Sequence, residues 1–212
     1  MSDETTEPKT QEEKSWIRRT LPEIAAMALA ALVLLSVRSS FADHYKVPTG
    51  SMEPTVMPGD FIFVAKAAYG VRIPFTGSEV IDRGHPEPGD VVVLESPVDG
   101  TTLLKRVVAV PGQTVQVTRG RLVINGAMAP VHGERDSMME ELGKVTHPIE
   151  LRNGGGPNFG PKTLPTGKFL VMGDHRGNSL DGRMFGFVDE EAIRGKAVAV
   201  YLSDRRPTWR EL

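Results

Sequence analysis

Two stretches of this chain repeat one design: "PGDFIFVAK" at 58–66 and "PGDVVVLES" at 88–96. Each is a Pro-Gly-Asp turn that runs into a short apolar segment. Proline presets one turn torsion, glycine takes the left-handed one, and aspartate bonds to nearby backbone. The segments that follow are too short for a stable helix and rich in β-branched and aromatic residues, which marks strands. The design recurs in looser form. "TTLLKRVVAVPGQTVQV" is a longer β run broken at Pro111-Gly112, and "VQVTRGRLVING" reads as a hairpin turning at Arg119-Gly120, with Asn125-Gly126 at the next turn. "GKFLVMGD" at 167–174 and "GKAVAVYLS" at 195–203 are two more strands, and only "VDEEAIRG" has the composition of a helical turn. The 22 glycines and 16 prolines fit many strands joined by sharp turns. Residues 127–160 are polar and Gly/Pro-rich, including "RNGGGPNFGP", and read as an inserted lobe. The expected fold is mainly β: a partly closed antiparallel β-barrel-like domain over 43–204, a small inserted β/loop lobe at about 127–160, and a C-terminal tail at 205–212.

The N-terminal part obeys a different rule. Residues 1–15 are polar and acidic with no periodic apolar face, which predicts a disordered tail. From Ile24 to Val37 there is no charge, and those fourteen positions span about 21 Å as a helix, short of a hydrocarbon core of about 30 Å. Counting from Leu21 to Ala42 gives about 33 Å, with Glu23 and Arg38 near the interfaces. Lys14, Arg18 and Arg19 precede the run, so a membrane anchor over 16–42 would keep the N-terminus in the cytoplasm and the β-domain outside. A cleavable signal peptide also fits, with the small residues Ser40 and Ala42 before Asp43. A buried core helix fits less well with basic-then-apolar order.

Composition excludes several chemistries. Cysteine is absent, which removes disulfides, a thiol nucleophile and Cys-based zinc sites. Net charge is -2 with no long basic block, so nucleic acid is not an expected partner. The five histidines, His44, His85, His132, His147 and His175, form no close metal-ligand pair, and no metal or cofactor is expected.

Lys105 and Ser51 are the chemically interesting residues. In "TTLLKRVVAV", alternation puts Leu103, Lys105, Val107 and Ala109 on one strand face and Leu104, Arg106, Val108 and Val110 on the other. One of the two adjacent cations must therefore meet apolar neighbours. A lysine desolvated there loses proton affinity and becomes a general base, whereas at a strand edge it is an ordinary snorkelling lysine. Ser51 lies in "VPTGSMEPT", where by itself it reads as a turn residue. Gly50 permits close backbone approach, and the Ser51 N–H with the Thr49 hydroxyl can act as oxyanion donors. Spacing also leaves open a Ser-His-Asp triad through His175 with Asp174 or Asp181.

"PTGSMEPT", "PGDFIFVAK", "PGDVVVLESP", "LLKRVVAVPGQ" and "VMGDHRGNSLDGRMFGFV" follow one another after a single apolar run. Together they resemble bacterial type I signal peptidases, membrane-anchored Ser-Lys proteases that cleave signal peptides from exported proteins. The resemblance covers about residues 16–204. It implies Ser51 as nucleophile, Lys105 as general base, and Thr49 with the Ser51 N–H as oxyanion hole. It implies that Ser179 orients the lysine, that Asp181 and Arg183 pair to hold their loop, and that Gly173 and Asp174 shape the same turn. Val47, Pro48, Met52, Leu103 and Leu104 would line pockets for the small residues of an Ala-x-Ala cleavage motif. Met52, Phe61 and Phe63 are also candidates for lipid contact. Thr49 stands where the family often has serine, His175 where asparagine is expected, and Gly177 where aspartate is expected. The implied partners are signal peptides of exported preproteins and the lipid bilayer. Two other readings remain at this point: a Ser-Lys autoprotease of the kind fused to repressors, and a non-catalytic anchored β-domain that binds envelope proteins.

Overall fold

A computed structural model describes residues 22–27, 29, 42–72, 79–82, 84–134 and 138–212, in two units, Met1–Ser40 and Phe41–Leu212. In the first unit residues 22–27 are helical. Among the described residues no helix is long and apolar enough to cross a membrane. Apart from residues 22–27, 29 and 42, the expected tail and anchor at 1–42 lie outside the described residues.

The second unit is mainly β. Its strands are β1 (Ala42–Lys46), β2 (Phe61–Ala65), β3 (Gly70–Arg72), β4 (Glu79–Asp82), β5 (Val91–Glu95), β6 (Thr102–Ala109), β7 (Thr114–Thr118), β8 (Arg121–Ile124), β9 (Ala127–Met128), β10 (Val131–His132), β11 (Met138–Leu142), β12 (Val145–Ile149), β13 (Phe159–Thr163), β14 (Lys168–Met172), β15 (Val188–Asp189), β16 (Ile193–Ser203) and β17 (Arg206–Glu211). The main sheet runs β1-β2-β16-β5-β6-β14-β15, an open, curled half-barrel with β17 paired to the far half of β16. Smaller sheets are β13-β7-β8-β9, β10-β11-β12 and the ribbon β3-β4.

The two Pro-Gly-Asp turns have the same geometry. The Asp60 carboxylate accepts the Met57 N–H at 3.0 Å, and the Asp90 carboxylate accepts the Glu87 N–H at 3.0 Å. Gly59 and Gly89 supply φ values of 95° and 101°. Each turn launches a strand that pairs with β16, so the repeated sequence becomes a repeated position in the sheet. The β7–β8 hairpin turns at Arg119 (φ 51°) and Gly120 (φ 77°), and Asn125 (φ 50°) with Gly126 (φ 81°) makes the next turn. Both are the left-handed pairs that two-residue hairpins require.

Burial follows alternation. Val91 and Val93 join one core cluster with Val47, Met52, Ile62 and Val64. Val92 and Leu94 join another with Val107, Phe169 and Val171. Strand β5 is therefore covered on both faces, which explains its unbroken apolar run. A third cluster fills the second lobe, with Val115, Val117, Leu122 and Phe159 packed under Leu170 and Met172. That lobe's sheet begins at β7, upstream of the 127–160 stretch, because β13 returns to pair with β7.

Two elements differ from expectation. Residues 206–211, expected as tail, form β17, held by Arg210 reaching Asp60 at 3.2 Å. A helix α1 (Gly182–Phe185) lies beside the site; Asp181 caps it by accepting the Arg183 N–H at 3.2 Å. Four residues are too few to display a helical period. The segment "VDEEAIRG" does contain a helical turn, a 3-10 turn at Glu190–Ala192.

Candidate active site

Ser51 sits in a 3-10 turn (Gly50–Met52), and Lys105 sits in β6. Lys105 is only 3% exposed. Its Nζ lies 2.8 Å from Ser51 Oγ and 2.9 Å from the Leu104 carbonyl. Burial pushes the Lys105 pKa from 10.5 down to about 8, while the Asp181 and Asp174 charges pull it partly back. At pH 7 about one lysine in ten is then neutral, against roughly one in 2,500 for an exposed lysine. A neutral amine offers a lone pair to the Ser51 hydroxyl and an N–H to the Leu104 carbonyl, which matches both contacts.

The lowered affinity has a cost in stability. Below about pH 8 both folded and unfolded chains hold the proton, and the fold bears the full penalty of a buried charge. The penalty fades as pH rises from 8 to 10.5. At about 1.4 kcal/mol per pH unit it amounts to a few kcal/mol. Lys105→Met is therefore expected to raise the thermal midpoint at pH 7 by about 5 °C or more, with the gain shrinking toward pH 10.5; differential scanning calorimetry at both pH values checks it.

The loop after β14 closes over the nucleophile's backbone. The His175 N–H donates to the Ser51 carbonyl at 3.2 Å. At Gly173 an added Cβ would stand 2.3 Å from the Ser51 carbonyl oxygen and 2.4 Å from Ser179 Oγ. Gly173→Ala is thus expected to displace Ser51, lowering kcat by about a hundredfold and stability by about 1–3 kcal/mol, measurable by peptide cleavage and urea unfolding. Asp181 accepts the Gly173 N–H at 3.1 Å and two bonds from Arg183 at 2.8 Å each, and Arg183 reaches the Gly155 and Arg176 carbonyls at 2.6 Å. Ser179 differs from the expected arrangement. Its Oγ is buried without a hydrogen-bond partner among the described residues, and the second Lys105 bond goes to the Leu104 carbonyl.

The five residues expected to line pockets divide between two faces of the sheet and its rim. Val47 and Met52 are buried in one cluster with half-buried Leu104 at its margin. Leu103 packs into the cluster on the opposite face, because neighbours on a strand point opposite ways. Pro48 and Thr49 are exposed, and the Thr49 side chain makes no capping bond to the turn. Met52 is 0% exposed, tucked inward by the 3-10 turn, so it is not a lipid contact. Phe61 is half-buried against Tyr201 at 6.2 Å, and Phe63 is exposed.

The family model for signal peptidase, peptidase S26, matches residues 18–202. Signal peptidase I of Pseudomonas fluorescens is 37% identical over 198 residues, covering 82% of this chain and 70% of its own. The chain belongs to the signal peptidase family. Signal peptidase I of Pseudomonas aeruginosa is 36% identical over 194 residues, covering 81% of this chain and 68% of its own. A crystal structure of signal peptidase I from Enterococcus faecalis V583 is 26% identical, covers 53% of this chain and 97% of its own, and has a TM-score of 0.38. Family membership makes the chain a serine peptidase that removes signal peptides.

Within this signal peptidase fold, several buried polar residues were not foreseen. Arg106, 1% exposed, grips Asp174 through Nε at 2.9 Å and a terminal nitrogen at 2.7 Å, and it donates to the Gly89 carbonyl at 2.6 Å. Thr55 donates to Asp174 at 2.5 Å. Burial pushes the Asp174 carboxyl up, but Arg106, His147 and Thr55 outweigh it and hold the group below the usual range. Arg176 pairs with Glu140, both fully buried. The only signal in the sequence was alternation, which turns Arg106 inward when Lys105 points the other way. The triad through His175 is not assembled: Asp174 is committed to Arg106 and Thr55, Asp181 to Arg183, and the His175 ring nitrogens lack hydrogen-bond partners among the described residues. The ring faces Glu53 instead, with Nδ1 3.4 Å from its carboxylate.

Proposed function

We propose that this chain is a membrane-bound endopeptidase that frees exported preproteins from their signal peptides through a Ser51–Lys105 dyad and an acyl-enzyme. The observation that carries the reading is the 2.8 Å contact between a buried lysine amine and a serine hydroxyl on a tight turn. Neutral Lys105 takes the Ser51 proton as Oγ attacks the scissile carbonyl. The oxyanion is held by the Ser51 N–H and the Thr49 hydroxyl. The lysine ammonium then gives its proton to the leaving amine. Water, deprotonated by the same lysine, attacks the ester, and the proton returns to Ser51 Oγ. Asp181 with Arg183, Asp174 and Gly173 keep the supporting loop in register, and Ser179 stands beside them.

Substrate binding as an extended strand is supported by the sheet edges. Strand β6 pairs with β5 along Thr102–Arg106, but its pairing with β14 begins only at Arg106. The edge beside Lys105 is therefore open among the described residues, as is the outer edge of β1. A peptide strand added there would bond through its backbone and offer alternate side chains to the sheet. Half-buried Leu104, with Pro48 at the rim, is the proposed wall for small residues of an Ala-x-Ala pattern, with Val47 and Met52 packed behind it, and Leu103 belongs to a separate face. The anchor at 16–42 would hold the domain on the outer face of the cytoplasmic membrane, where signal peptides emerge.

The test uses the full chain in detergent with a signal-peptide-bearing preprotein, followed by N-terminal sequencing of the product. The expected cut follows a small residue at the end of the signal peptide. Cutting after large residues, or no product at all, would contradict this reading.

A further inference from the structure

The inserted hairpin β11–β12 reaches into the charged cluster beneath the catalytic loop. His147 of β12, 3% exposed, stands between two carboxylates: Nε2 is 3.4 Å from Glu140 of β11, and Nδ1 is 3.5 Å from Asp174. Nδ1 also faces the Pro148 carbonyl at 3.2 Å. Both ring nitrogens thus face acceptors only. Nε2 makes no hydrogen bond among the described residues, so the ring meets both carboxylates at ion-pair distance, wedged between them. The charged groups around it are Glu140, Asp174, Arg106 and Arg176, all 0–1% exposed. The segment that follows continues the contact through its backbone: the Glu150 N–H donates to the Asp174 carbonyl at 2.9 Å, and the Glu150 carbonyl accepts from the Arg176 N–H at 2.8 Å. At Gly177 an added Cβ would stand 1.7 Å from the Arg152 carbonyl, so glycine there lets this segment press against the loop.

We propose that His147 and Glu140 are positioning residues for the peptidase reaction. They fix Asp174 and Arg176, and through these the loop that clamps Ser51 and faces Lys105. The chain of contacts is continuous. Glu140 holds Arg176, His147 joins Glu140 to Asp174, and the adjoining Gly173 and His175 contact the Ser51 backbone. The charges act on Lys105 as well, because Asp174 favours the charged lysine. The inserted hairpin, which carries no dyad residue, thereby sets both the geometry and the field of the dyad.

This inference rests on the Ser51–Lys105 reading, and the controls separate the two: parent activity lost in Ser51→Ala upholds the dyad whatever His147 does. The test measures kcat, KM and the pH–rate profile of full-length His147→Gln and Glu140→Gln on a preprotein, with circular dichroism to establish folding. In His147→Gln we expect kcat to fall about tenfold or more with KM within about twofold. Its acid limb should stay within about 0.2 pH unit of the parent, since the Arg106–Asp174 and Arg176–Glu140 pairs both remain. In Glu140→Gln kcat also falls, but the limb moves down, because Arg176 loses its counter-charge. Folded variants with parental kcat, or a Glu140→Gln limb that stays in place or moves up, overturn the proposal. Glu140→Gln strands a buried arginine; if it does not fold, His147→Gln, which keeps both ion pairs, decides alone.

Discussion

Lys105→Met and Ser51→Ala are each expected to remove preprotein cleavage, by about 10⁴-fold or more in kcat. The two residues form one unit: the serine is a poor nucleophile without the base, and the base has nothing to activate without the serine. Their effects should therefore not add, and the double variant should be no worse than either single one. Methionine matches the length of lysine and suits its apolar surroundings, so loss of fold is not the cause of the lost activity. Indeed the same variant is expected to be more stable at neutral pH, since the buried charge is gone. A dead but stabilised protein is a result that damage to the fold does not produce. Gel densitometry of processed and unprocessed preprotein over hours measures it, and either single variant cutting at the parental rate would refute the dyad.

The second large effect is on pH. With the Lys105 pKa at about 8, the active neutral form grows tenfold per pH unit below that point and levels off above it. Cleavage at pH 6 should be about one hundredth of the plateau. The sign follows from the base role: protonation removes the lone pair that accepts the Ser51 proton, so acid inactivates. Burial is the main cause, and for that reason a substitution that admits water beside Lys105 is expected to move the limb to higher pH. Initial rates from pH 5.5 to 10 with one preprotein give the profile. A rate that is flat from pH 6 to 9 would mean that Lys105 is not the titrating base.

Local chemistry explains which parts of this fold were legible. The hairpins at Arg119-Gly120 and Asn125-Gly126 are encoded by the residues that tolerate their torsions. The Pro-Gly-Asp turns are likewise local, with each aspartate bonding three residues back. Strand β5 shows its double-sided burial in four consecutive apolar residues. The site is different. Alternation predicts that one of Lys105 and Arg106 faces apolar neighbours, yet it does not say which serine lies beside the amine, 54 residues away. Only the family resemblance brought the two together. Arg106 and Asp174 meet across 68 residues, and Arg176 and Glu140 across 36, with no local signature on either side. The role of residues 138–156 as a bed for the catalytic loop was equally hidden, since their composition reads as surface loop. Leu103 and Leu104 illustrate a smaller limit. Both are expected to line substrate pockets, and adjacency on a strand sends them to opposite faces.

If Ser51 is the nucleophile, the acyl-enzyme can be trapped on it. Full-length protein mixed with preprotein, quenched in acid within the first turnovers and digested, should yield a peptide containing Ser51 that carries the signal-peptide acyl group as an ester. Mass spectrometry locates it. The expected result is an adduct on Ser51 that is absent from Ser51→Ala and Lys105→Met. An adduct on another residue, or one that forms equally in Lys105→Met, would contradict it.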